Sequence, residues 1–193
     1  MTEPANARDL FRAAYEHRYT WDANFPGYSA DIELKQGDEV YTGVYTQMRD
    51  IVTHRKRSTF EKSHGKNSFT LGEKDSTDAV DILVQGDSMG SNYKIRGLSI
   101  CQVSRVMGRM AFVIDTHNSL ETPEGSLASH YDAVFRNPET NEIIRELEFE
   151  DTFDKIGDYY VMTKQVVRSK EKGQLTTTEF NYSNVKLLEP AVV

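Results

Sequence analysis

The chain has 193 residues, of which 38% are hydrophobic and 27% are charged, and its formal net charge is −7. This length fits a single domain, residues 1–193, with a core of its own, and 10 Tyr, 9 Phe and one Trp argue against disorder. The negative charge argues against binding to nucleic acid, and the single cysteine, Cys101, excludes an internal disulfide and a multi-cysteine zinc site.

The N-terminal residues do not resemble a secretory signal, because Arg8 and Asp9 stand where an apolar stretch would be needed. No window of the sequence reaches the length of a membrane-spanning helix. A cytoplasmic protein without a metal or cofactor is therefore expected. Contact with a membrane surface is compatible with the sequence, but no feature indicates it.

An amphipathic helix is predicted over residues 6–18, where apolar side chains recur at helical spacing. Asn6 suits the N-cap position, and Asp9 suits the positively polarised first turn. An aromatic connector follows, and Pro26 disfavours any continuation of the helix through it.

Strands are predicted wherever the apolar period changes to two or the chain becomes continuously apolar. They are residues 28–35, 40–46, 80–84, 93–103, 106–115, 129–135, 143–151, 159–167 and 175–187. Residues 47–78 carry no clear pattern, and residues 73–78 are expected to form a loop. The short connections contain Gly, Asn and Asp and favour antiparallel neighbours. The fold class predicted is mainly β (α+β): a curved antiparallel sheet or half-barrel with the N-terminal helix packed on it.

Two predicted strands, residues 93–103 and 106–115, are apolar on both faces, which is typical of strands covered on both sides. One cover could be a ligand. A pocket for a hydrophobic small molecule is therefore one hypothesis, and a simple aromatic core is the alternative. The pocket would be lined by Trp21, Phe25, Tyr28, Met110, Phe112, Tyr159 and Tyr160.

Three patterns in the sequence allow a catalytic or binding interpretation as well as a simpler structural one. Residues 86–90 match G-x-S-x-G around Ser88, but a strand and not a helix is predicted after them, which favours a hairpin turn. His117 and His130 could meet Asp115 or Asp132 and act as a base if their loop folds back, but a polar loop with solvated histidines is the favoured interpretation.

The basic cluster Arg55, Lys56 and Arg57 is a candidate contact for a protein partner. An edge strand or loop whose charges discourage sheet-to-sheet pairing is the simpler interpretation.

Six runs of the sequence point to a family: RDLFRAAYEHRYTW at 8–21, FPGYSAD at 25–31, HGKN at 64–67, FED at 149–151, GDYY at 157–160 and SNVKLL at 183–188. They resemble domain-of-unknown-function family 3386, an uncharacterised family of cyanobacteria and plastids. The resemblance covers nearly the whole chain and implies no reaction and no site residues. Compared with that family, the connection at residues 45–50 is short, which implies an altered or more open pocket.

A more distant similarity links the predicted order of elements to bacterial lipoprotein-carrier domains, which are half-barrels with an apolar concave face. We therefore expect a non-enzymatic binding or assembly protein of a photosynthetic cell that holds an apolar ligand or a partner segment in a curved sheet. A protein–protein adaptor is the alternative, and a serine hydrolase at Ser88 is a further one.

Overall fold

The computed structural model describes residues 6–48, 60–87 and 90–189. Its helices are α1 (Ala7–Glu16) and α2 (Phe60–His64). Its strands are β1 (Gly27–Gln36), β2 (Glu39–Met48), β3 (Ser68–Lys74), β4 (Val80–Gln85), β5 (Asn92–Arg96), β6 (Ser99–Met107), β7 (Met110–Thr122), β8 (Gly125–Arg136), β9 (Ile143–Ile156), β10 (Tyr159–Glu171) and β11 (Gln174–Leu187).

Hydrogen-bonded neighbours follow the order β2-β1-β11-β10-β9-β8-β7-β6-β5-β4-β3 in an open antiparallel sheet. The chain divides into two compact units. Unit 1 comprises Met1–Tyr19 and Ser58–Leu147, and unit 2 comprises Thr20–Arg57 and Glu148–Val193. The predicted class, a mainly β antiparallel fold with an N-terminal helix packed on the sheet, is confirmed, whereas the single domain stays a prediction.

Helix α1 forms where the sequence predicts it. The Asn6 side chain caps it, because its Oδ1 accepts a hydrogen bond from the Asp9 backbone N–H at 3.0 Å. Ala7, Phe11 and Ala14 are buried on one side of the helix, which packs on β3, β5 and β6.

The core of unit 1 is built around the ring of Phe11, which is fully buried. Its centroid lies 4.5 Å from that of Tyr93 on β5, 5.3 Å from that of Phe69 on β3 and 5.9 Å from that of Phe60 on α2. Because α2 supplies Phe60 and His64 to this cluster, the short helix is held by burial on its apolar side.

The core of unit 2 is an aromatic cluster at the start of β1. Trp21 stacks on Phe25 with centroids 4.2 Å apart, and Phe25 in turn contacts Tyr159 at 4.9 Å. Phe25 is 1% exposed and Tyr28 is 4% exposed. Burial raises the pKa of the Tyr28 hydroxyl, and the neighbouring Tyr45 and Tyr182 raise it further.

The single strands predicted over residues 93–103 and 106–115 are wrong. The chain turns at Gly97 and again at Gly108, each with a φ of 60°, so that β5, β6 and β7 form consecutive hairpins. The sequence did not predict these two turns, because apolar residues continue on both sides of each glycine. Arg105 is consequently opposite Phe112, and Val106 is opposite Ala111, so Phe112 shares a face with Arg105 and not with Val106.

Strand β3 and helix α2 lie in the stretch for which the sequence carries no clear pattern. Strand β3 extends to Lys74, so the predicted loop begins only at Asp75. The Asp75 carboxylate organises that loop by accepting bonds from Thr77 Oγ1 at 2.6 Å and from the backbone N–H of Ala79 at 3.2 Å. In the described part of the chain, no helix is long and apolar enough to cross a membrane.

Candidate functional site

A polar cleft of about 510 Å³ lies in unit 1 and is called the cleft below. Its walls come from the end of α1, from α2 and the residues just after it, from β5 and β6, and from the connection that follows β4. The described residues that line it are Tyr15, Arg18, Ser63, His64, Asn67, Gly86, Asp87, Tyr93 and Arg105.

Arg105 enters the cleft from β6. Its Nη2 donates a hydrogen bond to the Tyr93 hydroxyl at 3.2 Å. Its Nε is buried and has no hydrogen-bond partner among the described residues. A buried donor without a partner is energetically unfavourable. The Nη2–Tyr93 bond is the one hydrogen bond that the Arg105 side chain makes to the described residues, which leaves further terminal N–H donors unused.

Arg18 enters the cleft just beyond the C-terminal end of α1. Its Nε donates to the Tyr15 carbonyl at 3.0 Å, which satisfies a carbonyl at the end of the helix. Its guanidinium carbon lies 3.8 Å from the centroid of the Tyr15 ring, a cation–π contact. These contacts fix the Arg18 side chain but leave its terminal N–H groups without a carboxylate partner among the described residues.

The backbone around Arg18 is held by strand β8. Ser126 N–H donates to the His17 carbonyl at 2.9 Å, and Tyr19 N–H donates to the Ser126 carbonyl at 2.9 Å. Gly125 permits this approach, because a Cβ there would lie only 2.5 Å from the His17 oxygen. Its φ of +136° also disfavours any other residue.

His64 forms an aromatic part of the cleft wall and is 9% exposed. Its ring lies 5.1 Å from both Phe11 and Tyr15, and its Nδ1 accepts a hydrogen bond from Asn67 Nδ2 at 3.3 Å. Burial lowers the pKa of His64, and the positive charges of Arg105 and Arg18 lower it further, against the opposing effect of Asp87. The imidazole is therefore neutral at pH 7.

Asp87 places one carboxylate on the cleft wall, where its Oδ2 accepts a bond from the Ser91 backbone N–H at 3.3 Å. Two arginines, one aspartate and a neutral histidine give the described walls one net positive charge. The Ser63 hydroxyl bonds to the Tyr15 hydroxyl at 3.2 Å, and no described contact joins it to His64. This arrangement suits the binding of a polar or anionic group better than nucleophilic catalysis.

The predicted pocket residues fall into both units. Trp21, Phe25, Tyr28 and Tyr159 lie together in the aromatic core of unit 2, where their rings pack on one another. Tyr160 joins them through its backbone, because its carbonyl accepts a hydrogen bond from Trp21 Nε1 at 2.9 Å.

Met110 and Phe112 belong to β7 in unit 1. Phe112 is half-buried and its ring lies 5.9 Å from that of Phe135 on β8, whereas Met110, at the end of a hairpin, is 41% exposed. That these residues and the aromatic residues of unit 2 bind a ligand stays a prediction.

The other predicted sites have different outcomes. Arg55, Lys56, Arg57 and Ser88 lie outside the described residues. His117 Nε2 lies 2.8 Å from Asp132 Oδ2, so a histidine and a carboxylate do meet, but both side chains are exposed on the β7–β8 surface. An exposed pair of this kind needs no catalytic explanation.

Sequence reasoning missed the three residues that give the cleft its character, Arg18, His64 and Arg105. Arg105 carried a signal, since it is a lone charge within the apolar run of β6. Arg18 and His64 had no signal of their own, because the fold brings them together from segments that are far apart in sequence.

The model of a family described as proteins of unknown function, DUF3386, matches residues 2–46 and 42–188. The chain belongs to this family. The two matched segments of the DUF3386 chain overlap at residues 42–46, beside the connection that the sequence analysis predicts to be short. The predicted family is thus confirmed, and its origin in cyanobacteria or plastids stays a prediction.

A DUF1329 family protein from Desulfovibrio piger is among the solved structures similar to this DUF3386 chain, with 9% identity over 100% of this chain and 96% of that one. The TM-score of 0.31 is too low for this likeness to support an argument about fold or function. No curated protein matches the chain. The similarity to lipoprotein-carrier domains stays a prediction.

Proposed function

We propose that this DUF3386 protein is a non-enzymatic binding protein that holds a small molecule in the cleft of unit 1. The observation that supports this is the cleft itself, whose volume of about 510 Å³ lies in the range of small-molecule sites. Its walls combine aromatic rings with a few polar groups on helices and strands, which is typical of such sites.

An apolar surface next to the cleft supports a ligand with an apolar part. Arg105 lies opposite Phe112 on the neighbouring strand, and Phe112 lies opposite Phe135 on the strand after that. Directly opposite residues share one face of an antiparallel sheet. Both phenylalanines are half-buried. These contacts support a position beside Phe112 for the apolar part of the proposed ligand.

The cellular setting is part of the same proposal. The resemblance to cyanobacterial and plastid proteins supports a photosynthetic cell, and we place the protein in its cytoplasm as part of the proposal.

The first test is solvent extraction of the purified full chain, followed by mass spectrometry of the extract and by native mass spectrometry of the protein. Titration calorimetry with sodium octanoate, 1-octanol and inorganic phosphate then measures binding directly. We expect a co-purified small molecule, or saturable binding of at least one probe with one site per chain.

A blocked cleft provides the control. Ser63→Trp on α2 places a bulky ring at the cleft wall, and Lys62→Trp adds the same ring to an exposed residue of the same helix that does not line the cleft. Binding should be lost in the first variant and kept in the second. A chain that yields no extracted molecule and binds none of the three probes, or that binds equally well with Ser63→Trp, would contradict the proposal.

A further inference from the structure

The guanidinium groups of Arg18 and Arg105 both line the cleft, and neither forms an ion pair with a carboxylate among the described residues. Two other arginines of unit 1 do form such ion pairs. Arg8 and Arg12 both bind Glu61, at 3.1 Å and 3.4 Å. An arginine has five N–H donors in a planar arrangement, and Arg105 directs only one described bond to protein, to the Tyr93 hydroxyl.

The buried Nε of Arg105 is the second observation. It has no partner in the described part of the chain, although the same guanidinium is fixed at Nη2 by Tyr93. Because Nε itself is buried, a ligand in the cleft meets the terminal N–H groups of this fixed guanidinium, and charged planar acceptors fit a guanidinium best.

The charge balance of the walls points the same way. Asp87 supplies one negative charge against the two arginines, and its Oδ2 is engaged by the Ser91 backbone N–H. The chain as a whole carries a formal net charge of −7, so an excess of positive charge in this cleft is a local feature. Local positive potential in a concave site concentrates anions.

We propose that the ligand of the cleft carries an oxyanion, a carboxylate or a phosphate, and that Arg105 and Arg18 bind it. This inference rests on the proposed function and adds the chemical class of the ligand. Arg105 supplies a directional contact through its fixed guanidinium. Arg18 supplies a second charge, held in place by the Tyr15 ring and carbonyl. The apolar part of the ligand lies toward Phe112.

Two probes with alkyl chains of similar length and different head groups test this on the full chain. Octanoate and 1-octanol have the same number of carbon atoms, and only octanoate carries an oxyanion. We expect octanoate to bind about 10- to 100-fold more tightly, the ratio that a hydrogen bond to a charged group provides. Raising the salt concentration should weaken octanoate more than 1-octanol, because salt screens charges.

Three variants assign the effect to residues. Arg105→Gln and Arg18→Gln should each weaken octanoate by roughly tenfold or more and leave 1-octanol unchanged. Arg109→Gln is the matched control, since Arg109 is exposed in the turn after β6 and does not line the cleft. Circular dichroism verifies folding, and if Arg105→Gln does not fold, Arg18→Gln decides the result.

Inorganic phosphate distinguishes the two sources of the oxyanion. Competition between phosphate and octanoate shows that the arginines accept a phosphate as well as a carboxylate, and binding of octanoate alone shows that they select a carboxylate. Either result supports the inference. Equal affinities for octanoate and 1-octanol, or unchanged octanoate binding in the folded arginine variants, would overturn it while leaving the proposed function intact. Failure of all three probes and of extraction contradicts the proposed function itself.

Discussion

His64 connects the core of unit 1 with the cleft. Its ring packs against Phe11 and Tyr15, and burial lowers its pKa from the usual 6.5, with Arg105 and Arg18 adding to the effect. In the unfolded chain the same imidazole takes up a proton at its ordinary pKa. Because the unfolded state then binds more protons than the folded state, acid favours unfolding.

We therefore expect the free energy of unfolding to fall as the pH drops below about 6.5 toward the lowered pKa of folded His64. Above that range its contribution is fully present. Urea unfolding at pH 7.5 and pH 5.5 measures the difference between the two values.

Two histidine variants show which residue causes this difference. His64→Gln should reduce the pH dependence, whereas His117→Gln, at an exposed residue, should retain it. An unchanged pH dependence in His64→Gln would show that other groups carry the effect. Each variant is compared with itself at the two pH values, so a change in its absolute stability does not affect the result.

Prediction at the level of residues succeeded where interacting residues are close in the sequence. It failed where the fold brings distant residues together. The cap formed by Asn6 and Asp9 could be predicted because both partners lie within one turn. The cleft could not, because Arg18 and Arg105 lie far apart in the sequence and nothing in their own neighbourhoods indicates a shared site.

Among the elements, α1 contributes most to the core of unit 1 through a single side chain. Phe11 is fully buried against strands β3 and β5 and helix α2. Truncating a buried phenylalanine removes its transfer free energy and leaves a cavity.

Phe11→Ala should lower the free energy of unfolding by about 3–5 kcal/mol, as measured by urea denaturation. Phe11→Leu retains most of the volume and should lose less. Arg12→Ala on the exposed side is the comparison, since its pairs with Glu16 and Glu61 lie at the surface and should contribute less than about 1 kcal/mol. Similar losses for Phe11→Ala and Arg12→Ala would contradict this assignment of the core.

The hairpins show why element prediction was only partly right. Turns with polar residues between polar-flanked strands were recognisable, as at Gly157 and Gly173. The turns at Gly97 and Gly108 lie inside apolar runs, and periodicity read across them assigned the wrong faces. Strand β3 was missed because most of its side chains are polar and exposed.

At the scale of the whole molecule, each unit is assembled from two separate stretches of chain. Within unit 2, β1 pairs with β11, so that Tyr28 lies opposite Leu187. Hydrophobic patterning identifies both strands but contains no information on which distant partner each one takes. The class of fold was therefore predictable, and the pairing of its first strand with its last was not.

The strand order ends at β2, which pairs on one side with β1 and has no described neighbour on the other. Val44 is 75% exposed on this end strand, and Val40 is 55% exposed. Exposed apolar end strands favour association between copies.

Val44→Lys should reduce association at high protein concentration, measured by static light scattering over a concentration series. Stability should change by no more than about 0.5 kcal/mol, because the position is on the surface. Leu83→Lys is the control, since Leu83 is 45% exposed but is paired on both sides, with Thr70 on β3 and with Asn92 on β5. An equal effect of both variants would point to general hydrophobicity and not to the end strand.

The glycine at position 125 has a consequence for how this protein can vary. It does not line the cleft, yet a methyl group there would collide with the carbonyl next to Arg18. In a saturation-mutagenesis library selected for ligand binding, position 125 should therefore tolerate as few amino acids as Arg105 itself. A map of mutational sensitivity would then mark a residue that does not touch the ligand. The reason is that any side chain at position 125 would displace the backbone that positions Arg18.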